Sequence, residues 1–238
     1  MKLKLDQVTL VAVTNKDIDG SIDALKFSSK KIDFNSIKLF SPLKQKLLDQ
    51  NIYNIQIRKL KSIAEWGEFI TFELYKYIDT KFIILIHADG FIVNPENWLP
   101  SFLNYDYIGA PWPKAKEFYD SYGKLRRVGN SVSLRSYKLL KAPTDIGLKW
   151  SDAHSSNFHE DGFICVQNGK ILEDKGIKFA NFETSLHFSR EYTFKENKDI
   201  DPFVFHKWYG KNKTYPRLGN EIKLKDIIKD IYLSFKYK

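Results

Sequence analysis

Apolar positions along the chain fall into short unbroken runs separated by stretches with helical spacing. Val8 to Val13 is a compact apolar run of the kind a strand buried on both faces needs. Asp19 to Lys31 follows with Ile22, Leu25 and Phe27 at helical spacing, and Ile37 to Phe40 reads as a second short strand closed by Ser41-Pro42. Gln45 to Leu48 reads as a helical turn, and Tyr53 to Leu60 alternates as a strand does. Ser62 is placed to cap a helix over 63–78, with Glu65 at the capping-box position and Phe69, Phe72, Leu74 and Tyr75 on its apolar side. Phe82 to Ile86, FIILI, is the strongest strand signal in the chain. The alternation β-α-β-α-β predicts an α/β fold with a mainly parallel, Rossmann-type sheet and helices on both faces. Its first third is expected to form a nucleotide-binding half, although neither GxGxxG nor GxxxxGK[ST] is present.

Further on the pattern is richer in turns. Asn94-Pro95, Ala110-Pro-Trp-Pro113, Gly129-Asn130, Ala142-Pro143 and Asp201-Pro202 predict short strands with long loops over a site. From Leu224 the stretch LKDIIKDIYLSFKYK reads as a basic amphipathic helix, which either packs on the domain or touches a membrane surface or partner. The expected division is a domain over residues 1–215 and a basic tail over 216–238.

Composition narrows the setting. Cys165 is the single cysteine, so no internal disulfide and no zinc spacing arise, and a reducing compartment is expected. The start MKLKLDQVTLVAV lacks a small-residue cleavage site and reads as a first strand rather than a signal peptide. No apolar run approaches the roughly 18 residues of a membrane span, so the expectation is a soluble, cytoplasmic protein. The net charge of +9 permits nucleic acid, anionic lipid or a phosphorylated ligand. Many lysines are scattered singly, as on a solvated surface, and no helix-turn-helix, RRM or OB pattern supports a nucleic-acid partner. Aromatic residues make up 15%, enough to line a sugar site as well as fill a core.

Three places carry candidate chemistry. His87-Ala88-Asp89-Gly90 directly follows the FIILI strand, and open α/β sheets bind ligands beyond the carboxyl ends of their strands. An Asp-Gly there either holds a ligand or simply makes a turn. Glu160-Asp161 is a pair of adjacent acids that either serves catalysis or caps a helix. His206, after Phe203-Val-Phe205, is either delivered to a site by a strand or is a satisfied core histidine. His187, with Ser189, Arg190 and Glu191 as loop contacts, is a weaker candidate.

The stretches LIHADGFIVNPENWLPSFLNYDYIGAPWP, RVGNSVSLRS, HEDGFICVQNGKILEDKGIKFA, HFSREYTF and FVFHKW resemble a bacterial and viral family of GT-A-like glycosyltransferases known as a domain of unknown function. Its members read DGF, NPxxW, YDYIGAPW, VGNGGFSLRS, EDxxIC and FxFH in that order, and the resemblance covers roughly residues 62–208. It implies a GT-A-like domain that transfers a sugar from a nucleotide-diphosphate sugar to a hydroxyl of a glycan, a lipid-linked glycan or another acceptor. Asp89 then stands in the DxD-type position, as the carboxylate for a metal or the diphosphate, and His87 replaces the first Asp. His87 would bind Mn²⁺ or contact phosphate directly. Mn²⁺ or Mg²⁺ is the implied cofactor, neutralising the departing diphosphate, with His206 returning to the metal. Gly90 and Arg135 fall on the donor side, Arg135 meeting either a phosphate or a structural carboxylate. Tyr107 and Trp112 belong to a rigid loop shaping the sugar or acceptor side. Asn130 matches the family, but Ser131-Val132 stands where Gly-Gly-Phe is usual, so the fit near Asn130 and Ser131 should differ from typical members. Asp161, with Glu160 beside it, resembles the acid pair of inverting enzymes, in which the Asp deprotonates the acceptor. The missing first Asp and lost glycines equally suit a non-catalytic nucleotide-sugar or carbohydrate-binding module. The basic tail leaves open, beside packing on the domain, a peripheral contact with the inner face of a membrane.

Overall fold

The period of two along a strand sends alternate side chains to opposite faces, and β1 (Leu3–Val13) uses this to feed two cores. Leu10 and Ala12 enter the larger core, Val11 and Val13 the smaller. The computed structural model describes residues 2–49, 51–150, 159–222 and 224–237. After β1, Asp17 caps α1 (Ile18–Ser29) by accepting a hydrogen bond from the Gly20 amide at 3.1 Å, and α1 lays Ala24 and Leu25 on the larger core. β2 (Ile32–Ser41) returns parallel to β1.

The segment expected to make a helical turn at Gln45–Leu48 instead enters β3 (Leu47–Asp49), antiparallel to β4 (Ile52–Gln56). The Asn54 amide donates to the Lys46 carbonyl at 2.7 Å, a cross-strand bond that outweighs the local helical spacing. α2 (Ile63–Phe72) starts where Ser62 accepts from the Glu65 amide at 3.1 Å, and the Glu65 carboxylate accepts from the Lys61 amide at 2.9 Å. It stops at Phe72 and gives way to a 3₁₀ turn over Leu74–Tyr77, short of the expected 63–78. Trp66, Phe69 and Ile70 pack it on the smaller core. β5 (Phe82–Ile86) repeats the division, with Ile83 and Leu85 on the α2 side and Ile84 and Ile86 on the α1 side.

The remaining elements are β6 (Tyr107–Pro111), β7 (Val128–Ser136), α3 (Tyr137–Asp145), α4 (Glu160–Gly162) continuing into a π-helical turn over Phe163–Gln167, α5 (Gly169–Asp174), α6 (Phe182–Phe188), β8 (Ser189–Arg190), β9 (Val204–Phe205) and α7 (Leu224–Lys236). The main sheet runs in the order β3-β4-β2-β1-β5-β7-β6. β4, β2, β1 and β5 are parallel neighbours, β7 is antiparallel to β5, and β6, antiparallel to β7, points with the parallel set. The fold is thus mixed α/β, with a mainly parallel central sheet and helices on both faces. From β1 the strand order runs one way to β2 and β4 and the other way to β5, so a crevice opens beyond the carboxyl ends of β1 and β5. Among the described residues no helix is long and apolar enough to cross a membrane.

Candidate active site at the strand switch point

A cavity of about 730 Å³ fills this crevice, a size suited to a small-molecule ligand. Val13 at the end of β1, Thr14 to Lys16 after it, and His87 and Asp89, which follow β5, form its floor. Asn130 and Ser131 come from β7, Glu160 and Asp161 from α4, Glu191, His206 and Lys207 from the turns around β8 and β9, and α7 closes one side. The Trp66 indole donates to the Val13 carbonyl at 2.9 Å and sets its ring 5.3 Å from that of His87, fixing the end of β1 against α2.

Asp89 sits in a tight turn. The His87 amide donates to the Gly90 carbonyl at 2.7 Å, and the Gly90 amide donates back at 3.2 Å. A Cβ on Gly90 would lie 2.8 Å from His206 Cδ2 and 2.9 Å from the Phe205 carbonyl, so this glycine lets the segment after β9 approach the turn. Gly90, expected on the donor, instead makes room for protein. The Lys207 amide donates to the Asp89 carbonyl at 2.8 Å, and Lys207 takes a left-handed φ of 63° to do so. Its ammonium then pairs with Asp89 Oδ2. His206 Nε2 stands 3.6 Å from Asp89 Oδ1, and His206 Nδ1 stands 3.5 Å from Glu191 Oε1. The other Glu191 oxygen accepts from Asn130 Nδ2 at 2.6 Å.

Burial pushes the Asp89 carboxyl upward, but His206 and Lys207 outweigh it and hold the group well below the usual carboxylate range. Burial also opposes the Lys207 ammonium, yet Asp89 keeps it charged. Burial, helped by His206, pushes His87 down to about 3, so its ring is neutral at pH 7, and its Nε2 is buried with no hydrogen-bond partner. Glu191 is displaced upward by burial, with His206 resisting.

On the opposite wall the paired acids divide. Glu160 is 1% exposed and takes a bond from Arg135 Nη2 at 2.7 Å, while its Oε2 has no partner. Burial and the Asp161 charge raise it to about 7 despite Arg135. Asp161 is half-buried, lines the cavity, and accepts from the Gly162 amide at 2.9 Å.

Arg135 is itself fully buried and does not line the cavity, its guanidinium bonding Glu160, Ser133 Oγ at 2.9 Å and the Ser131 carbonyl at 3.4 Å. The structural-carboxylate alternative holds, and a phosphate contact does not. Tyr107, expected in a sugar loop, lies inside β6 with no exposure and donates to the Asn130 carbonyl at 2.5 Å. It positions the left-handed Asn130 (φ 96°) rather than a ligand. Trp112 does line the cavity and stacks on Phe118 at 4.5 Å, occupying space that a Cβ on Gly129 would fill. Arg190 is buried and holds Asn212 and the Ile200 carbonyl, each at 2.7 Å, so it is a brace and not a loop contact. His187 lies on α6, away from the cavity lining.

Lys207 and Trp66 were not singled out by the sequence reading. The rule that selected Asp89 after β5, applied after β1 and β9, would have pointed to Thr14 to Lys16 and Lys207.

The cation implied by the resemblance can be tested on the donor set. Among the described residues no three His, Cys, Asp or Glu side chains gather closely enough to hold a metal. Asp89 and His206 nevertheless offer one hard oxygen and one imidazole nitrogen, with Glu191 Oε1 3.5 Å from the second nitrogen but not hydrogen-bonded to it. The neighbouring unpartnered His87 nitrogen is of a type that suits Mn²⁺. Asp89 and His206 would supply two ligands to a divalent cation in place of the Lys207 ammonium, short of a three-residue site among the described residues.

The chain belongs to the family described as protein of unknown function (DUF5672), whose model matches residues 50–206. No curated protein matches it. Among solved structures, it is similar to the bifunctional IspDF from Campylobacter jejuni, at 14% identity and a TM-score of 0.44, over 74% of this chain and 49% of that one. It is also similar to the apo-form glycosyltransferase GlyE of Streptococcus pneumoniae TIGR4, at 11% identity and a TM-score of 0.47, over 98% of this chain and 60% of that one. The chain thus spans about half the length of the first and three-fifths of the second.

Proposed function

We propose that the chain is a glycosyltransferase that moves a sugar from a nucleoside-diphosphate sugar to a hydroxyl acceptor. The observation that carries this reading is the convergence, in one cavity at the strand switch point, of a Lys207–Asp89–His206 cluster and an opposed acid pair (Glu160 and Asp161). The nucleotide lies over Thr14 to Lys16 with its diphosphate toward Lys207, whose ammonium offsets the charge that grows as the sugar departs. A divalent cation held by Asp89 and His206 would supply the same electrostatic relief more strongly when bound. Asp161 takes the proton of the acceptor hydroxyl, and the oxygen forms its bond to the anomeric carbon. The bond from that carbon to the diphosphate breaks, and its electron pair leaves with the nucleotide. Direct displacement inverts the anomeric configuration. Residues 1–215 form the catalytic unit in this reading, and 216–238 an appended basic segment.

Asp161→Asn keeps the size of the side chain but cannot take the proton. Turnover should fall by about 10²-fold or more with donor binding unchanged. Product of retained configuration would sink the assignment of Asp161 as base. A donor-binding module without turnover is the competing reading, favoured by the Lys207 ammonium already seated on Asp89. Release of nucleoside diphosphate from a panel of nucleotide sugars with Mn²⁺ separates the two, since a module binds without releasing product.

A further inference from the structure

Helix α7 turns its apolar side outward. Among its described residues Leu233 alone is buried. Toward the domain, the Asp230 carboxylate accepts from the Gly210 amide at 2.7 Å and pairs with Lys213 at 2.5 Å. The half-buried Asp226 lies on the same side. Leu224, Ile227, Ile228 and Ile231 recur at helical spacing on the opposite side and are 71%, 45%, 59% and 53% exposed. At 100° per residue, Lys225, Lys229 and Lys236 fall along one flank of this stripe. Both acids of the helix face inward; on the flank, Lys229 and Lys236 border the cavity and Lys236 pairs with Glu117 at 3.0 Å, which leaves Lys225 beside the apolar stripe. The surroundings reinforce it. Residues 209–238 hold eight Lys or Arg against three Asp or Glu, net +5 of the chain's +9.

We propose that α7 docks the protein on an anionic lipid surface. The apolar stripe enters the boundary between headgroups and acyl chains, and Lys225 with the net positive charge of the surrounding segment meets the lipid phosphates along its edge. Thirteen residues span only about 20 Å, less than a bilayer core, so the helix lies in the plane of the membrane and does not cross it. The charge pattern favours an anionic lipid surface over a second copy of this chain, whose matching segment carries the same net positive charge.

The test is co-sedimentation of the full chain with vesicles of phosphatidylcholine alone and with one quarter phosphatidylglycerol. Binding to the anionic vesicles, weakened by raised salt, is expected, with at least tenfold weaker binding for the double variant Ile228→Asn and Ile231→Asn. Both side chains are more than half exposed, so the variant should melt with wild type; a clear loss of thermal stability would show that these two side chains pack within the protein and would overturn the proposal. No binding to anionic vesicles, or binding that the double variant leaves unchanged, would overturn the proposal. So would a dimer in solution that the same substitutions dissolve, since the stripe would then be buried between copies. None of these outcomes depends on glycosyl transfer.

Discussion

Replacing Glu160 by Gln isolates the proton that the buried Arg135–Glu160 pair controls. An ordinary glutamate titrates near 4.5, whereas Glu160 in the folded protein is raised to about 7 by burial and by Asp161. Because the folded value is the higher one, between these limits the folded state keeps a proton that the unfolded chain has released. Stability is therefore lost as pH rises through this window and is level above it. At about 1.4 kcal/mol per unit, the displacement amounts to about 3 kcal/mol in total, of which roughly 2–3 kcal/mol is expressed between pH 5 and pH 8. Gln keeps an acceptor for Arg135 but cannot titrate, so wild type minus variant removes every other titrating group. Urea unfolding of both proteins at pH 5, 6, 7 and 8 reads the difference directly. It should fall by roughly 2–3 kcal/mol across the series. A difference that stays flat, or grows with pH, would refute the reasoning. Arg135, at 2.7 Å, would then outweigh burial and keep Glu160 ionised throughout.

Three further outcomes are expected. Lys207→Met removes the ammonium from Asp89 and should weaken binding of a nucleoside diphosphate about ten- to hundredfold, the scale of a charged hydrogen bond; equal affinity by calorimetry would move the diphosphate elsewhere. Gly90→Ala forces a Cβ against His206 and the Phe205 carbonyl and should cost roughly 1–3 kcal/mol in unfolding experiments; unchanged stability would contradict the close approach of these segments. Chelation should reduce thermal protection by the donor, and Asp89→Ala should abolish the Mn²⁺-dependent part; protection unaffected by EDTA would leave the diphosphate to Lys207 and the other lysines of the cavity.

Legibility followed the range of the interactions involved. FIILI gave β5 its bounds because a strand buried on both faces needs an unbroken apolar run. Ser62 and Glu65 marked the start of α2 because capping is local. β2, by contrast, begins at Ile32, before the apolar run, in a stretch of mixed polarity held by pairing with β1. At the site, Asp89, Asp161 and His206 were legible because each stands at the start or end of an element. The roles of Arg135 and Tyr107 were not. A guanidinium that ends on Glu160, 25 positions away, reads the same in sequence as one that meets a phosphate. Lys207 was hidden by its abundance: with so many lysines, only the turn that brings β9 to Asp89 distinguishes it.

One element belongs to two surfaces. Lys229, Tyr232 and Leu233 of α7 form a side of the cavity, while Ile228 and Ile231 of the same helix face outward. Whatever holds the outer face restrains the inner one, and a ligand that orders the inner face presents the outer one ready-made. Linkage makes this reciprocal: a factor by which a surface tightens the cavity's hold on its ligand is the factor by which that ligand tightens the hold of the surface. Such a protein would work chiefly where it has landed, using a single helix as both anchor and wall.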